Sequence, residues 1–442
     1  MNIGYYAHHH GSGHCRQADK LAALLPTDQR SHLTVFTSLS AETYAFNSIP
    51  ELQVIRLAAE DELESDTLKG RAGEYWHPNS LHYSPVGNSN IQKRSHKILD
   101  SIHKLNIELM IIDVSVEVAM LCRAASIPYL YVRLPGVRDD TPHLNAFAGA
   151  LAMIAPYPEA LDAGVTPQWL PSKTLYLNFI NVGQFANVSY PEFIASLVSF
   201  ANNNNLPIEV DDRPIITVIK GYGGHENIDN KLPKLRELLP HALIISLGPI
   251  HHDIRDYVDI AAEVNDVTPF IEHSDCLLMA CGLNAIAQVY STDTPLVVLP
   301  DFRPHDEQHF TAQALIKEGR AVDWDYFQQL VSRHGNELFS DNSLFKGQAS
   351  DNSASAPAPI LESEIPISAI AISATPITET AISETEVSES ASDVNFAANT
   401  ITSNINLKPS IAEEFMQSTK IYTSINSWFQ DWLLPRINLQ PD

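Results

Sequence analysis

Basic residues are scarce in this chain: 28 Lys and Arg face 53 Asp and Glu among 442 residues, a formal net charge of −25. A nucleic-acid partner needs clustered cations along its phosphates, so that class is excluded. An anionic membrane face is also disfavoured, and peripheral membrane contact stays open only through a local basic patch. Cysteine is scarce too. Cys15, Cys122, Cys276 and Cys281 show no CxxC or zinc spacing and read as buried thiols in a reducing compartment. No apolar run approaches the ~20 residues of a membrane-spanning helix. The opening MNIGYYAHHH lacks the basic flank, apolar stretch and cleavage site of a signal peptide. A cytoplasmic protein is expected. Its length exceeds one ordinary core and fits two domains with additions.

The richest stretch lies at 276–321. An apolar run at 277–280 suits a buried strand. The small-residue turn Cys281-Gly282-Leu283-Asn284 follows, then a helix over 285–290 carrying Gln288. Gly282 permits close backbone approach, and the helix behind it aims free N–H groups into the turn. A second buried-strand run, 295–299, ends at Pro300 and feeds a polar loop containing Asp306, Glu307 and Gln308. Two strand–loop–helix units in succession put both loops at one edge of a parallel sheet, where such sheets bind ligands. Amides and small side chains on one loop, with acids and an amide on the other, suit a phosphorylated, hydroxyl-rich ligand.

The chain begins with the same device. A strand over 2–7 runs into Gly11-Ser12-Gly13, and an amphipathic helix over 14–25 starts at His14. Further strands are expected at 33–36 and 53–57, and a long polar loop with aromatics at 60–90. A helix over 89–105 precedes the strand 109–112. That strand ends at Asp113, with Glu117 opening the next helix, so both carboxylates face the same sheet edge as residues 11–14. A strand at 128–133 leads to a polar loop from Arg138. After a strand-like 174–179 and a breaker-rich 201–213, the β-branched run 215–219 meets another glycine turn, Gly221-Tyr222-Gly223-Gly224. Short strands are then expected at 242–247 and 264–269.

Residues 349–403 hold one aromatic and no Lys, Arg or Gly, with a loose Ser/Thr/Ile/Glu repeat. Such a tract buries too little to offset its ordering entropy and is expected to be disordered. Trp428, Phe429, Trp432 and Leu433 form an apolar face at helical spacing beyond it.

At CGLNAIAQ, PLVVLP and HDEQHFTAQAL the chain resembles the nucleotide-sugar half of GT-B glycosyltransferases. It is most similar to the group with the peptidoglycan N-acetylglucosaminyltransferase and the plastid galactolipid synthases. The resemblance implies an α/β GT-B fold, two doubly wound Rossmann-like domains facing a cleft. These divide as an acceptor-side domain over 1–185 and a nucleotide-sugar domain over 186–340. A disordered acidic insert (341–408) and helices crossing back to the first domain (409–442) would complete the chain. It also implies transfer of a sugar from a nucleotide-sugar, a UDP-sugar, to a hydroxyl on a lipid, glycan or small molecule, with no cofactor and no metal. Residues 221–224 would close over the donor diphosphate, and Gln288 stands where the family has a ribose-binding Glu. Donor contacts would come from Gly221, Tyr222, Gly223, Gly224, Cys281, Gly282, Leu283, Asn284, Gln288, Asp306, Glu307 and Gln308. Gly11, Ser12, Gly13 and Glu117 would line the acceptor side.

From the residues themselves, His14 is either a general base near neutral pKa or a helix-start histidine that only hydrogen-bonds. Asp113 is the second candidate base, and Glu117 reads better as a helix cap. His8-His9-His10 with His14 invites a metal, but alternation at a strand end sends neighbours to opposite faces, so they do not share one ion. A nucleotide-sugar epimerase and a non-catalytic nucleotide-sugar-binding protein are the other readings of the same residues.

Overall fold

The computed structural model describes residues 1–8, 12–61, 63–69, 80–162, 167, 169–177, 179, 188–204, 213–221, 226–264, 266–340 and 345. Apart from Phe345, the expected acidic insert and the helices beyond it lie outside the described residues.

The first half is built on seven strands: β1 (Asn2–Tyr6), β2 (Leu33–Thr37), β3 (Val54–Arg56), β4 (Ile107–Asp113), β5 (Tyr129–Val132), β6 (Ala152–Ala155) and β7 (Thr174–Tyr176). They pair in parallel in the order β3-β2-β1-β4-β5-β6-β7. The second half holds six: β8 (Ile215–Ile219), β9 (Leu243–Leu247), β10 (Ile260–Ala262), β11 (Cys276–Met279), β12 (Leu296–Val298) and β13 (Val322–Asp323). Their order is β10-β9-β8-β11-β12-β13, again parallel throughout.

Helices cover both faces of each sheet, so the strands are buried on both sides and read as continuous apolar runs. Ile3 and Tyr5 point toward the helix Gly13–Leu24, packing with Ala18, Leu21 and Ala22. Tyr6 and Ile112 point the other way, onto Ile98 and Ile102 of the helix Ser89–Lys104. That alternation is the period-2 geometry of a strand.

In each sheet the strand order reverses at its centre, between β1 and β4 and between β8 and β11. Those reversals are where open α/β sheets leave a crevice beyond the strands' carboxyl ends. Tyr157 and Leu161, which follow β6, share one apolar cluster with Met279, Cys281, Ile286, Ala312 and Leu315 of the second half. Each leucine-, isoleucine- or methionine-sized side chain so buried contributes about 1.5–3 kcal/mol, and this shared cluster holds the two halves together.

Two expectations fail here. Residues 264–269 are not a strand: the strand is β10, just before, and Thr268–His273 is a helix. Pro269 sits in that helix's first turn, where its missing N–H costs nothing. The segment after Arg138 is a loop only as far as Asp140, whose side chain accepts from His143 N (3.1 Å) and caps the helix Thr141–Gly149.

Candidate active site

The first glycine turn leaves β1 at the crevice. Gly11 lies outside the described residues, as do His9 and His10. Ser12 occupies the N-cap position of the helix Gly13–Leu24 without a side-chain capping bond. His14, in that helix's first turn, points its Nδ1 at Asp113 Oδ2, 3.0 Å away. Asp113 ends β4, the strand beside β1, and is 1% exposed. Its Oδ2 also accepts from Tyr5 OH at 2.9 Å. Immediately behind it the backbone turns at Val114 with φ 56°. A β-branched residue adopts that conformation at a cost of about 1–3 kcal/mol, so the fold fixes the bend that presents Asp113.

Burial works against a charge on His14, but Asp113 beside it outweighs burial and raises its pKa, with Glu307 adding to the effect. Because Asp113 accepts a hydrogen bond from Nδ1–H, Nε2 keeps its lone pair, and no described residue hydrogen-bonds it. A histidine held this way can accept a proton from a nearby hydroxyl and tolerate the resulting charge. Asp113 is buried behind His14 and bonded to both His14 and Tyr5.

Glu117 is not the helix cap. Ser115 takes that place, accepting from Val118 N at 3.3 Å, in front of the helix Val116–Ala124. Glu117 Oε1 instead accepts the backbone N–H groups of His82 and Tyr83 at 2.8 and 2.9 Å, and so anchors the loop that precedes the helix Ser89–Lys104.

Across the crevice, Gly221 directly follows Lys220 at the end of β8, and Gly282 follows β11, the strand paired to β8. Both turns thus share one edge. Tyr222, Gly223 and Gly224 lie outside the described residues. Gly282 is the N-cap of the helix Leu283–Val289, and a Cβ built on it would meet nothing within 4 Å, so open space faces this turn. Cys281 is buried in the core and its thiol pKa is pushed up by burial. Leu283 packs on the same cluster, so both offer backbone only. Gln288 is exposed and donates to Asn284 O in its own helix (3.2 Å).

Of the acidic loop, Asp306 is exposed in a left-handed conformation (φ 51°) that starts the helix Glu307–Lys317. Gln308 is 4% exposed, and its Oε1 accepts from Asp301 N at 2.9 Å, pinning the loop's shape. The short helix Glu226–Asp229 is joined to the loop after β12, because Asn227 donates N to Asp301 Oδ1 (3.0 Å) and Nδ2 to Pro300 O (2.9 Å).

The two halves meet at these turns. A Cβ on Gly13 would lie 3.5 Å from Asn284 Nδ2. Arg138, after β5, ion-pairs with Glu307 at 3.2 Å, and Val137 N donates to His305 O at 2.8 Å. Around them gathers a cluster that the sequence alone did not reveal. Asp140 accepts from His82 Nε2 (2.8 Å) and from His143 Nδ1 (2.6 Å), with His305 Nδ1 at 4.0 Å. These residues come from three distant loops, so no local spacing marks them, and only the Asp-Thr-Pro helix start at 140–142 was readable.

Burial, with Arg138 adding to it, pushes His143 down to about 3 and His305 down to about 4. Burial opposes charge on Asp140, but the bonds from His143 hold its carboxyl below the usual range.

His82, Asp140 and His143 bring three ligating atoms within 4.8 Å, as do the exposed His251, His252 and Asp253. In the first group Arg138 Nη1 donates to His143 Nε2 at 3.2 Å, which leaves Nδ1 as the protonated nitrogen facing Asp140. A metal on Nδ1 would have to displace that proton while Nε2 still accepts from a guanidinium, so this group is a hydrogen-bonded cluster. Asp323-Trp324-Asp325 has the DxD spacing used elsewhere for metals, yet Asp323 caps the helix Trp324–His334 and Trp324 is in the core.

No family model matches this chain, and neither does any curated protein. Solved structures do. The crystal structure of MurG from Acinetobacter baumannii superposes with a TM-score of 0.50, covering 79% of this chain and 94% of that one at 12% identity. The fold is GT-B. The spinosyn rhamnosyltransferase SpnG gives a TM-score of 0.50 at 15% identity, covering 80% of this chain and 95% of its own. In the GT-B frame β1 and β4 carry His14 and Asp113 on one wall of the cleft, and β8 and β11 carry Gly221 and Gly282 on the other.

Proposed function

We propose that this protein is a glycosyltransferase that moves a sugar from a nucleotide-sugar, a UDP-sugar, to a hydroxyl acceptor without a metal. The observation that carries this is the His14–Asp113 pair, 3.0 Å apart at the first sheet's reversal and opposite the open Gly282 turn of the second.

His14 Nε2 takes the proton of the acceptor hydroxyl as its oxygen attacks the anomeric carbon. The oxygen–carbon bond forms while the bond from carbon to the diphosphate oxygen breaks, and the nucleoside diphosphate departs with the electron pair. Asp113 holds the imidazole tautomer and balances the charge that His14 acquires. Backbone amides at Gly221 and at 282–284 meet the leaving diphosphate. Glu307, held by Arg138, and the acceptor-side segment at 12–14 orient the two substrates.

Thermal-shift screening with UDP-, GDP- and dTDP-sugars, followed by mass spectrometry of products, tests this. His14→Ala should lose transfer by at least about 10³-fold while keeping nucleotide affinity, the scale expected when a general base with an oriented partner is removed. Wild-type turnover in that variant would remove His14 as base. A sugar isomer formed without acceptor would make the protein an epimerase. Binding without turnover on any acceptor would make it a non-catalytic binder.

A further inference from the structure

The helix that begins at the His14 wall also sends a cation across the cleft. Lys20 Nζ donates to Asn284 Oδ1 at 3.1 Å, and Asn284 lies two residues past Gly282 in the proposed donor turn. Asn284 is a neutral acceptor. Among the described residues no carboxylate pairs with Lys20, although the chain has 53 Asp and Glu. The charged group facing it from its own helix is Arg16, one turn earlier, and the element packed against it from the other half contributes the uncharged Asn284.

Lys20 is half-buried, and a cation partly withdrawn from water against a neutral acceptor is stabilised further when an anion meets it. The place fits such an anion. Gly13 closes one side of Asn284, and the space over Gly282 is open on the other. We infer that Lys20 is a donor-contacting residue, exchanging Asn284 for the diphosphate of the nucleotide-sugar and so carrying positive charge from the acceptor-side half to the leaving group. This rests on the transferase reading above and names a contact for it from the opposite half of the molecule.

Two consequences follow from the chemistry. Lys20 discriminates a diphosphate from a bare nucleoside, because the nucleoside has nothing for it to meet. It also draws the two halves together when donor is present, since its own helix belongs to the first half and its ligand sits on the second. Burial, reinforced by Arg16, pushes the Lys20 ammonium down to about 8, so its charge is partly lost in the mildly alkaline range.

The test is calorimetric titration of wild type, Lys20→Met and Lys20→Arg. The titrants are the tightest-binding of UDP, GDP and dTDP and, separately, its nucleoside. Lys20→Met should weaken the diphosphate about 10–100-fold, the scale of one charge-assisted hydrogen bond, and leave nucleoside affinity within about twofold. Lys20→Arg should restore diphosphate binding and abolish the decline in affinity that wild type shows between about pH 7 and 9. Circular dichroism and thermal unfolding confirm that each variant folds. Unchanged diphosphate affinity in Lys20→Met, or equal loss of nucleoside and diphosphate, overturns the Lys20 assignment alone. Absence of any nucleotide binding by wild type overturns the transferase reading together with it.

Discussion

Asp113→Asn isolates the carboxylate from the shape around it. The imidazolium that forms during transfer would sit 3.0 Å from Asp113 Oδ2. At an effective dielectric near 20, a full ion pair at that separation is worth about 5–6 kcal/mol, an upper bound since His14 is 17% exposed and partly screened. Asn also offers Nδ1 either its oxygen or its amide group, so a fraction of molecules would carry the wrong tautomer. Together these place the loss in kcat at about 10³–10⁴-fold, or about 4–5.5 kcal/mol.

At pH 9, where His14 carries no charge in either state, stability should change little, because Tyr5 OH keeps an oxygen acceptor at that site. The pH profile gives the sharper readout. His14 must be neutral to act, so kcat/KM falls as pH drops through its pKa. In wild type Asp113 raises that pKa above the ordinary histidine value. In the variant burial acts without it, and the acid limb moves to lower pH. The linkage has a matching sign. A raised His14 pKa contributes stability below about pH 6.5 that is lost as pH rises through the folded pKa, so the variant should forfeit stability at pH 6 and none at pH 9. A variant with kcat within tenfold of wild type and an unmoved acid limb would refute the dyad.

The contact between the halves gives two further expectations. Gly136 has φ 101°, and a Cβ there would lie 2.4 Å from His305 O and 2.9 Å from Glu307 Cα, both backbone, so Gly136→Ala should cost about 2–4 kcal/mol in chemical unfolding and lower kcat/KM by parting Arg138 from Glu307. An unchanged unfolding midpoint with full activity would mean the seam yields freely. His143 and His305 are held neutral, with pKa values of about 3 and 4. Unfolding lets each bind a proton near pH 6.5, so stability should fall as pH drops below about 6.5, by about 1.4 kcal/mol per histidine at pH 5.5. His143→Asn with His305→Asn should flatten that slope between pH 5 and 6.5, and a slope equal to wild type would assign the acid sensitivity elsewhere.

The strands were legible where they are buried on both faces. The run 215–219 coincides with β8, and the runs at 33, 109, 277 and 295 differ from β2, β4, β11 and β12 by a residue or two. Strand β6, Ala-Met-Ile-Ala, escaped because small residues carry weak strand preference, and β13 is only two residues long. The polar seam was illegible for another reason. His82, His143 and His305 converge only after three separate chain segments have folded onto each other, and no periodicity along the chain encodes that meeting. Arg138 was read as the start of a polar loop, yet it is 6% exposed and paired with Glu307 from the second half.

What was legible in the site has one cause. Four of the five segments singled out for chemistry, 11–14, 113–117, 221–224 and 281–284, each follow one of the strands β1, β4, β8 and β11, and the fifth, 306–308, follows β12. The first four strands are the two pairs that flank the reversals of strand order. Crossovers leave such a pair in opposite directions, so nothing covers the carboxyl ends between them, and core packing makes no demand on the residues there. A glycine, a histidine or an aspartate at these ends is thus free of the apolar pattern that rules the strands before them, and stands out against it. The residues that the sequence underrated, Arg138 after β5 and His305 after β12, belong to strands one place further out. There the ends are covered by the opposing half instead of by solvent or ligand, so their polarity reflects a seam that exists only when both sheets are in place.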